Sequence, residues 1–518
     1  QVQVQGGTSW DFRLSSGDMA HRPKLSMRQM ASVWRRLALL VIGLMAVSLQ
    51  SALWATPAQA WKVGTDPTFP PFEFRDTSTG AITGFDIELI EAIGKQSGHS
   101  IEWIPLPFDG LIPALQSRSV DAAISAMTIT PERARAVDFS RPYFKAGQAI
   151  VVRTNGTSFS TLAELKGRRI AVQIGTTGAQ EAGKITDAQV ISFDSTPTAL
   201  QELANGNADA VVSDVPAILY AIDQAKLTGL RISGEHLSTE YYGIALPTNS
   251  PIAPAINQAL NALIEDGQYA TLYERWFGAE PPALPDRAPS LTRPASPLAG
   301  LDLNMLLSNL LKGAGVTLLL TVLSFSFGLL GGTALAMVLQ APWAFAHRLC
   351  RIYIDFFRGT PMLVQLFLIY FGLPALLQSM ELPFTINRLA AAVIALSLNV
   401  AAYLAETLRS GIESIDRGQW EAADALGFSP VERMRCIVAP QAIRRILPPL
   451  ANEFITLIKD TSLAAIIGFD ELFRQGQLMV ATSYRAFEIY IAVALVYLVM
   501  TTTASILFKR LEARMHIP

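Results

Sequence analysis

Thr130-Pro131-Glu132-Arg133 sets a helix N-cap, a proline at the first helical position and a guanidinium within one turn. Such a guanidinium can form a forked pair with a carboxylate, aided by the free backbone N–H groups of the helix start. Gly175-Thr176-Thr177-Gly178 follows an apolar strand and precedes a helix-like run, so its amides offer a second anionic contact. Asp214 closes the strand Ala210–Ser213, where a carboxylate can hold an ammonium. Phe69 and Phe108 stand in proline-flanked loops, able to sandwich an aliphatic or amide side chain. Together the four patterns describe a small-ligand site. Each alone has a plainer reading: a surface charge, a turn, a cap for the helix starting near Val215-Pro216, two core rings.

Bond-making chemistry is not signalled. No Gly-x4-Gly-Lys-Ser/Thr phosphate loop occurs; Gly94-Lys95 and Gly183-Lys184 lack its spacing and its hydroxyl. His21, His99, His236, His347 and His516 show no metal-ligand spacing, and neither a serine nucleophile nor a His-Glu-x-x-His pattern appears. The chain is therefore expected to carry no catalytic residue, no metal and no cofactor of its own. Two cysteines, Cys350 and Cys436, exclude a disulfide-stapled scaffold. The balance of 41 basic against 43 acidic residues gives no electrostatic reason to expect nucleic acid as a partner.

The elements that must hold the site lie in residues 61–278. Short apolar strands (Trp61–Thr65, Ala122–Ser125, Arg169–Gln173, Ala210–Ser213) alternate there with helical stretches such as Asp86–Ser97 and Thr198–Asn205. That alternation argues for α/β layers around a largely parallel sheet, and a segment of roughly 220 residues fits two lobes. Residues 279–302 form a linker; within it, Glu280–Pro297 carries six prolines (281, 282, 285, 289, 294, 297) and reads as a semi-extended tether.

Beyond the tether the charge vanishes. The whole chain is 16% charged, against roughly 25% in soluble domains. No Asp, Glu, Lys or Arg occurs in Gly313–His347, Gly359–Met380, Leu389–Ala405 or Ile489–Phe508. Since about 20 apolar residues cross a bilayer as a helix, these runs predict membrane spans. One more is expected in Ile446–Phe469, interrupted by Glu453, Lys459 and Asp460, which makes about five in an all-α domain over 303–518. Basic residues gather after the first and third spans (Arg348, Arg351; Arg409 to Arg445) and in the tail (Lys509, Arg510, Arg514), so those segments are expected in the cytoplasm. An odd number of spans then puts residues 61–302 outside. Arg28, Arg35 and Arg36, the apolar run Leu37–Trp54 and Ala58-Gln59-Ala60 describe a signal peptide over 27–60, with 1–26 a non-functional extension.

Several stretches resemble a known family. Asp66-Pro-Thr-Phe-Pro-Pro-Phe-Glu-Phe74, Gly84-Phe-Asp-Ile-Glu88, Phe108-Asp-Gly-Leu-Ile-Pro-Ala-Leu115, Ala126-Met-Thr-Ile-Thr-Pro-Glu-Arg133, Tyr242-Gly-Ile-Ala-Leu-Pro247 and Tyr273-Glu-Arg-Trp-Phe-Gly278 resemble periplasmic binding proteins for polar amino acids, with a leaning toward glutamine binders. The resemblance implies two lobes joined by crossing strands near 145–153 and 238–246. It also implies that Arg133, Thr128 and the Thr177 loop hold the α-carboxylate, that Asp214 and Ser125 hold the α-ammonium, and that Phe69, Phe108 and Asp66 meet the side chain. Gln173 stands where glutamine binders often have lysine, and Ala126 where glycine or serine is common, so the individual ligand stays open.

The second half resembles another family. Glu421-Ala-Ala-Asp-Ala-Leu-Gly427 followed by Ile437 and Pro440 is similar to the coupling motif of bacterial ABC-importer permeases, and Arg358-Gly-Thr-Pro361 and Lys459-Asp-Thr-Ser-Leu463 to their polar amino-acid subfamily. From spacing, Glu421–Leu426 is expected as a short helix turned off at Gly427, with Pro440 starting the next. Lys459 and Asp460 are sequence neighbours pointing to different faces and are not expected to bind substrate. The resemblance implies a separate cytoplasmic ATPase, carrying the ATP, docked on Glu421, Ala422, Ala423 and Gly427, and a permease homodimer. The chain thus reads as the fused receptor and permease of an importer for polar amino acids such as glutamine, in a bacterial cytoplasmic membrane. An amino-acid-gated ion channel or a sensor on the same binding fold is the rival. Such a channel would insert its pore between the lobes, a sensor would need an output domain, and a soluble enzyme on this fold would not need the coupling helix.

Overall fold

The computed structural model describes residues 60–515, apart from 224–228, 235–236, 288–302, 342 and 383. The signal-peptide and N-terminal-extension readings, and most of the tether, lie outside the described residues.

Residues 60–278 fold as two lobes, each around its own five-stranded sheet. In the first lobe the order is Ser100–Pro105, Ala60–Thr65, Ala122–Ala123, Ala245–Leu246, Asp138–Phe139. In the second it is Gln189–Phe193, Arg169–Gln173, Ala210–Asp214, Gln148–Arg153, Leu230–Ile232. The first three strands of each sheet run parallel, as the alternating pattern requires. Both sheets then depart from the all-parallel expectation, because the chain enters each from the other lobe and pairs antiparallel, at Ala245–Leu246 and at Gln148–Arg153. Between the lobes Phe144–Ala146 and Glu240–Tyr242 pair antiparallel with Tyr242 opposite Phe144, inside the two segments expected to cross.

Sterics explain where elements begin and end. The strand expected over Ala122–Ser125 stops at Ala123, and Ala126 at φ 44° turns the chain toward the cleft. Thr196–Ala204 begins two residues earlier than the sequence reading because Ser195, not a later residue, caps it. Helix Phe85–Gln96 enters through Gly84 at φ 138°, where a Cβ would run into the Phe72 carbonyl. That close approach lets Phe72 and Phe85 meet edge to face, at 6.2 Å between centroids. Phe72 also reaches Phe144 at 4.8 Å and Tyr242 at 5.3 Å, which fastens both crossing strands to the first lobe's core.

The remainder is helical. Leu303–Gln340, Arg388–Glu413 and Ala486–Met515 are each long and apolar enough to cross a membrane. Ala344–Gly359 and Met362–Leu377 meet at a bend of 109° and together are apolar enough for a broken span or a re-entrant loop. The break falls on Arg358-Gly-Thr-Pro361, where proline withdraws a backbone donor. Gln365 repairs the loss: its Nε2 donates to Phe357 O at 2.8 Å and Thr360 O at 3.0 Å, while Asn399 donates to Gln365 Oε1 at 2.9 Å. Freed carbonyls at membrane depth demand such partners. Ile446–Phe469 is corrected: the α-helix is Ala439–Asp460, followed by a tighter turn over Thr461–Ile467. Arg444, Arg445, Glu453, Lys459 and Asp460 make that helix more polar than the three long ones.

Small residues let Leu303–Gln340 and Arg388–Glu413 touch. A Cβ at Gly328 would lie 2.7 Å from Val400, and one at Gly332 2.8 Å from Leu404. Large apolar side chains such as Phe327, Leu330, Leu495 and Val499 face outward, as lipid-facing surfaces do.

Gly84→Ala should cost the receptor domain stability, on the order of 3 kcal/mol, by combining positive φ with a backbone clash. Urea unfolding of residues 61–278 measures it; an unchanged midpoint contradicts the assignment.

Candidate ligand site between the lobes

All eight residues singled out for substrate (Asp66, Phe69, Phe108, Ser125, Thr128, Arg133, Thr177 and Asp214) line one cavity between the lobes. Hydrogen bonds across the cleft, from Arg133 to Gly175 O and from Gln173 to Asp66, hold the lobes closed around it. Ala126, Gln173, Thr176 and Ser213 complete the lining.

Arg133 is 1% exposed. Thr130 caps its helix, accepting from Arg133 N at 3.2 Å. The guanidinium donates to Thr128 O at 2.7 Å and, across the cleft, to Gly175 O at 2.9 Å, and lies 5.2 Å from the Phe108 ring centre. Its buried Nε has no partner among the described residues. Opposite, Thr176 caps the helix Thr177–Gly183, accepting from Ala179 N at 3.2 Å. Arg133 is thus held in place by carbonyls from both lobes, with its guanidinium charge near enough to act on Asp214, an arrangement suited to an anionic group.

The acids are arranged with equal care. Asp66 accepts from Thr68 Oγ1 at 2.8 Å, from Phe108 N at 3.2 Å and, across the cleft, from Gln173 Nε2 at 3.0 Å. Burial still pushes it up to about 6. Asp214 accepts from Tyr242 Oη and Gln148 Nε2, both contributed by the crossing segments. Burial, helped by the nearby Glu240 carboxylate, raises Asp214 to about 7. Ser125 does not face the ligand alone: its hydroxyl donates to Glu73 Oε1 at 2.7 Å and accepts from Asp66 N at 3.1 Å. Beneath it, Asp86 accepts from Ala126 N and Tyr143 Oη, each at 2.7 Å. Burial lifts Asp86 to about 6, and burial beside Asp86 drives Glu73 well above the carboxylate range.

Sequence reasoning missed Glu240. Its Oε2 accepts from Thr128 Oγ1 of the first lobe at 2.7 Å and from Thr177 Oγ1 of the second at 2.8 Å. Both hydroxyls assigned to the α-carboxylate are therefore turned toward a side chain of the crossing strand. Gln148 was missed too; it joins Thr177 Oγ1, at 3.0 Å, to Asp214. The available signal was position: both fall in segments expected to cross between the lobes, where a polar side chain reaches either wall.

In the helical half, Arg417–Ala425 is the helix expected around Glu421, Ala422 and Ala423, with Asp416 accepting from Gly418 N at 2.7 Å. Glu421 and Ala422 are exposed, and Ala423 packs inward. Gly427 takes φ 78° and ends the helix. Pro440 stands in the first turn of the next α-helix, Ala439–Asp460, as expected. Ser429 and Glu432 form a capping box around Pro430, and a wider π-type turn over Arg433–Val438 leads into Ala439–Asp460.

Comparison with known proteins follows this division. Residues 61–279 match the bacterial extracellular solute-binding proteins of family 3, and residues 328–517 the inner-membrane component of binding-protein-dependent transport systems. The probable amino-acid permease YxeN of Bacillus subtilis is 43% identical over 209 residues, 40% of this chain and 92% of the relative. The glutamine transport permease GlnP of Escherichia coli is 42% identical over 209 residues, 40% of this chain and 93% of the relative. The chain belongs to the amino-acid ABC permease family. It joins to the permease a solute-binding domain, so receptor and permease components of an amino-acid importer share one polypeptide in the inner membrane. Among solved structures, an ancestral arginine-binding protein bound to arginine is 45% identical with a TM-score of 0.42, covering 43% of the importer chain and 100% of its own. Its glutamine-bound form is 44% identical with a TM-score of 0.41, covering 43% and 100%.

With Asp214 as the ammonium partner, the importer's affinity for an amino acid should rise with pH and level off above pH 7. Below its pKa of about 7 the carboxyl is neutral, and each further unit weakens binding by up to about tenfold. Calorimetry between pH 5.5 and 8.5 should give that slope, and Asp214→Asn should flatten it.

Proposed function

We propose that residues 61–278 capture a polar amino acid outside the cytoplasm and hand it to residues 303–518 for import. The single observation behind this is the convergence of Arg133, Asp214 and Asp66 on one cleft, in a chain that continues into a permease. Arg133 suits an α-carboxylate and Asp214 an α-ammonium. For the side chain we favour an amide such as glutamine. Asp66 already has three donors, one of them the Gln173 amide, whose oxygen accepts from Thr196 Oγ1 at 2.8 Å. The glutamine name of the relative GlnP supports the same choice. Arginine is the second reading, because Asp66 and Asp214 outnumber Arg133 in the lining.

We further propose that ATP is hydrolysed on a separate cytoplasmic subunit seated on Glu421–Gly427. Leu426 and Val431 stand largely exposed on either side of Gly427, an apolar knob suited to a groove in such a partner. Two identical permease chains would enclose the pathway. Closure of the ATPases would then turn that pathway from the outer side to the cytoplasm.

Calorimetry of residues 61–278 against the twenty amino acids should give tight binding of L-glutamine; binding of L-arginine alone favours the second reading, and no polar amino acid bound overturns the receptor role. In cells, Gly427→Val should abolish uptake of the bound amino acid while its affinity stays unchanged, because a β-branched side chain resists positive φ. Normal uptake by that variant removes the coupling assignment.

A further inference from the structure

Ser125, Thr128 and Thr177 line the cavity between the lobes, and each is buried. A hydroxyl carries one proton and two lone pairs, so the bond it donates decides what it can still offer a ligand. All three protons are spent on acids that stand behind the cavity wall. Ser125 Oγ donates to Glu73 Oε1 at 2.7 Å. Thr128 Oγ1 and Thr177 Oγ1 donate to a single oxygen of Glu240, Oε2, at 2.7 and 2.8 Å. Its other oxygen, Oε1, accepts from Ser238 Oγ at 3.0 Å. Among the lone pairs, one on Ser125 is taken by Asp66 N at 3.1 Å and one on Thr177 by Gln148 Nε2 at 3.0 Å. Each hydroxyl keeps at least one lone pair, and none keeps a proton.

We infer that Glu73 and Glu240 are positioning residues that set the hydrogen-bond polarity of the site: they turn Ser125, Thr128 and Thr177 into acceptors, reserved for the N–H groups of a ligand. The family resemblance gave the two threonines to the α-carboxylate, but their protons point elsewhere. The carboxylate is then left to Arg133, and the hydroxyls join Asp214 in receiving an ammonium or an amide. That assignment of ligand groups rests on the proposed amino-acid receptor role; the direction of the hydroxyls does not.

A second layer fixes Glu73. Glu73 and Asp86 are fully buried and hydrogen-bond each other through their side chains. Asp86 Oδ2 already accepts from Ala126 N and Tyr143 Oη, and Glu73 Oε1 from Ser125. The oxygens left for the bond between the acids are Glu73 Oε2 and Asp86 Oδ1, which no other described group meets. Two carboxyl oxygens can bond only with a proton between them. Glu73, held well above the carboxylate range by burial beside Asp86, keeps that proton. The proton stays on the side facing Asp86, so Oε1 remains an acceptor and Ser125 cannot turn round.

The test uses the full chain in lipid nanodiscs, with affinity for L-glutamine, or L-arginine if that is the ligand, measured by calorimetry. Glu73→Leu and Glu240→Leu remove the acceptors and should each weaken binding about tenfold or more. Glu73→Gln and Glu240→Gln keep an acceptor oxygen and should recover most of that loss; at position 73 the amide N–H replaces the acid proton toward Asp86. They also keep the side chain's shape, so they decide the matter even where a Leu variant fails to fold. In a Ser125→Ala background Glu73→Leu should cost nothing further, because the acid acts only through that hydroxyl. The same should hold for Glu240→Leu in a background of Thr128→Val and Thr177→Val. Gln variants as weak as the Leu variants overturn the proposal, as do losses that persist without the hydroxyls. Without ligand at pH 8.5, above the values of Asp66, Asp86 and Asp214, the infrared band of protonated carboxyls should lose intensity in Glu73→Gln. An unchanged band overturns the proposal as well. A parent that binds neither amino acid overturns the receptor reading, while the infrared band still decides the hydrogen-bond arrangement.

Discussion

Asp214 is an acid buried between the lobes, and the receptor domain is organised around keeping it supplied with donors. Those donors are Tyr242 and Gln148, and neither belongs to the lobe wall that faces Asp214 across the cleft: both come from the crossing segments. The joint between the lobes and the floor of the site are therefore the same residues. Tyr242 also stacks on Phe144 at 5.5 Å, so the strand that supplies the hydroxyl is held by the aromatic core of the first lobe. Removing water from a carboxylate is costly unless hydrogen bonds replace it. Here the replacement is built into the hinge.

The second half meets a related demand with different means. A membrane interior tolerates no unpaired backbone group, yet the chain bends by 109° between Ala344–Gly359 and Met362–Leu377. Gln365 and Asn399 make the bend tolerable by answering the carbonyls that Pro361 leaves free. Arg358, at the end of the first segment, lies 5.3 Å from the Tyr403 ring centre, so its charge meets a π face as well as solvent.

Much of this was legible in the sequence because it rests on local rules. The cap at Thr130, the turn at Gly175, the end of a helix at Gly427 and the charge-free helices each follow from a few neighbouring residues. Glu240 was not legible, because its role depends on Thr128 and Thr177 arriving from two lobes that only the fold brings together. Pro440 was legible too, since it stands in the first turn of Ala439–Asp460, whereas the capping box at Ser429 and Glu432 marks a separate start that leads into it through a wide turn. The run expected over Ile446–Phe469 overlaps the helix Ala439–Asp460 without matching its ends, because that helix grows out of the wide turn before it and tightens after Asp460. The hydrogen bonds from Arg474 of the helical half to Asp194 and Ser192 of the second lobe join residues far apart in the chain and could not have been read from either neighbourhood.

Carrying receptor and permease on one chain changes the arithmetic of their meeting. A free receptor must find its permease by diffusion and bind it tightly enough to be present when needed. A covalently linked one is present at an effective concentration in the millimolar range whatever the amount of protein in the cell. The contact through Asp194 and Ser192 can then be weak, and weakness has a use: a receptor that lets go easily can reopen, empty and return within each turnover. The same covalent link also commits each receptor domain to its own permease chain, so supply of loaded receptor cannot be increased by making more of it separately.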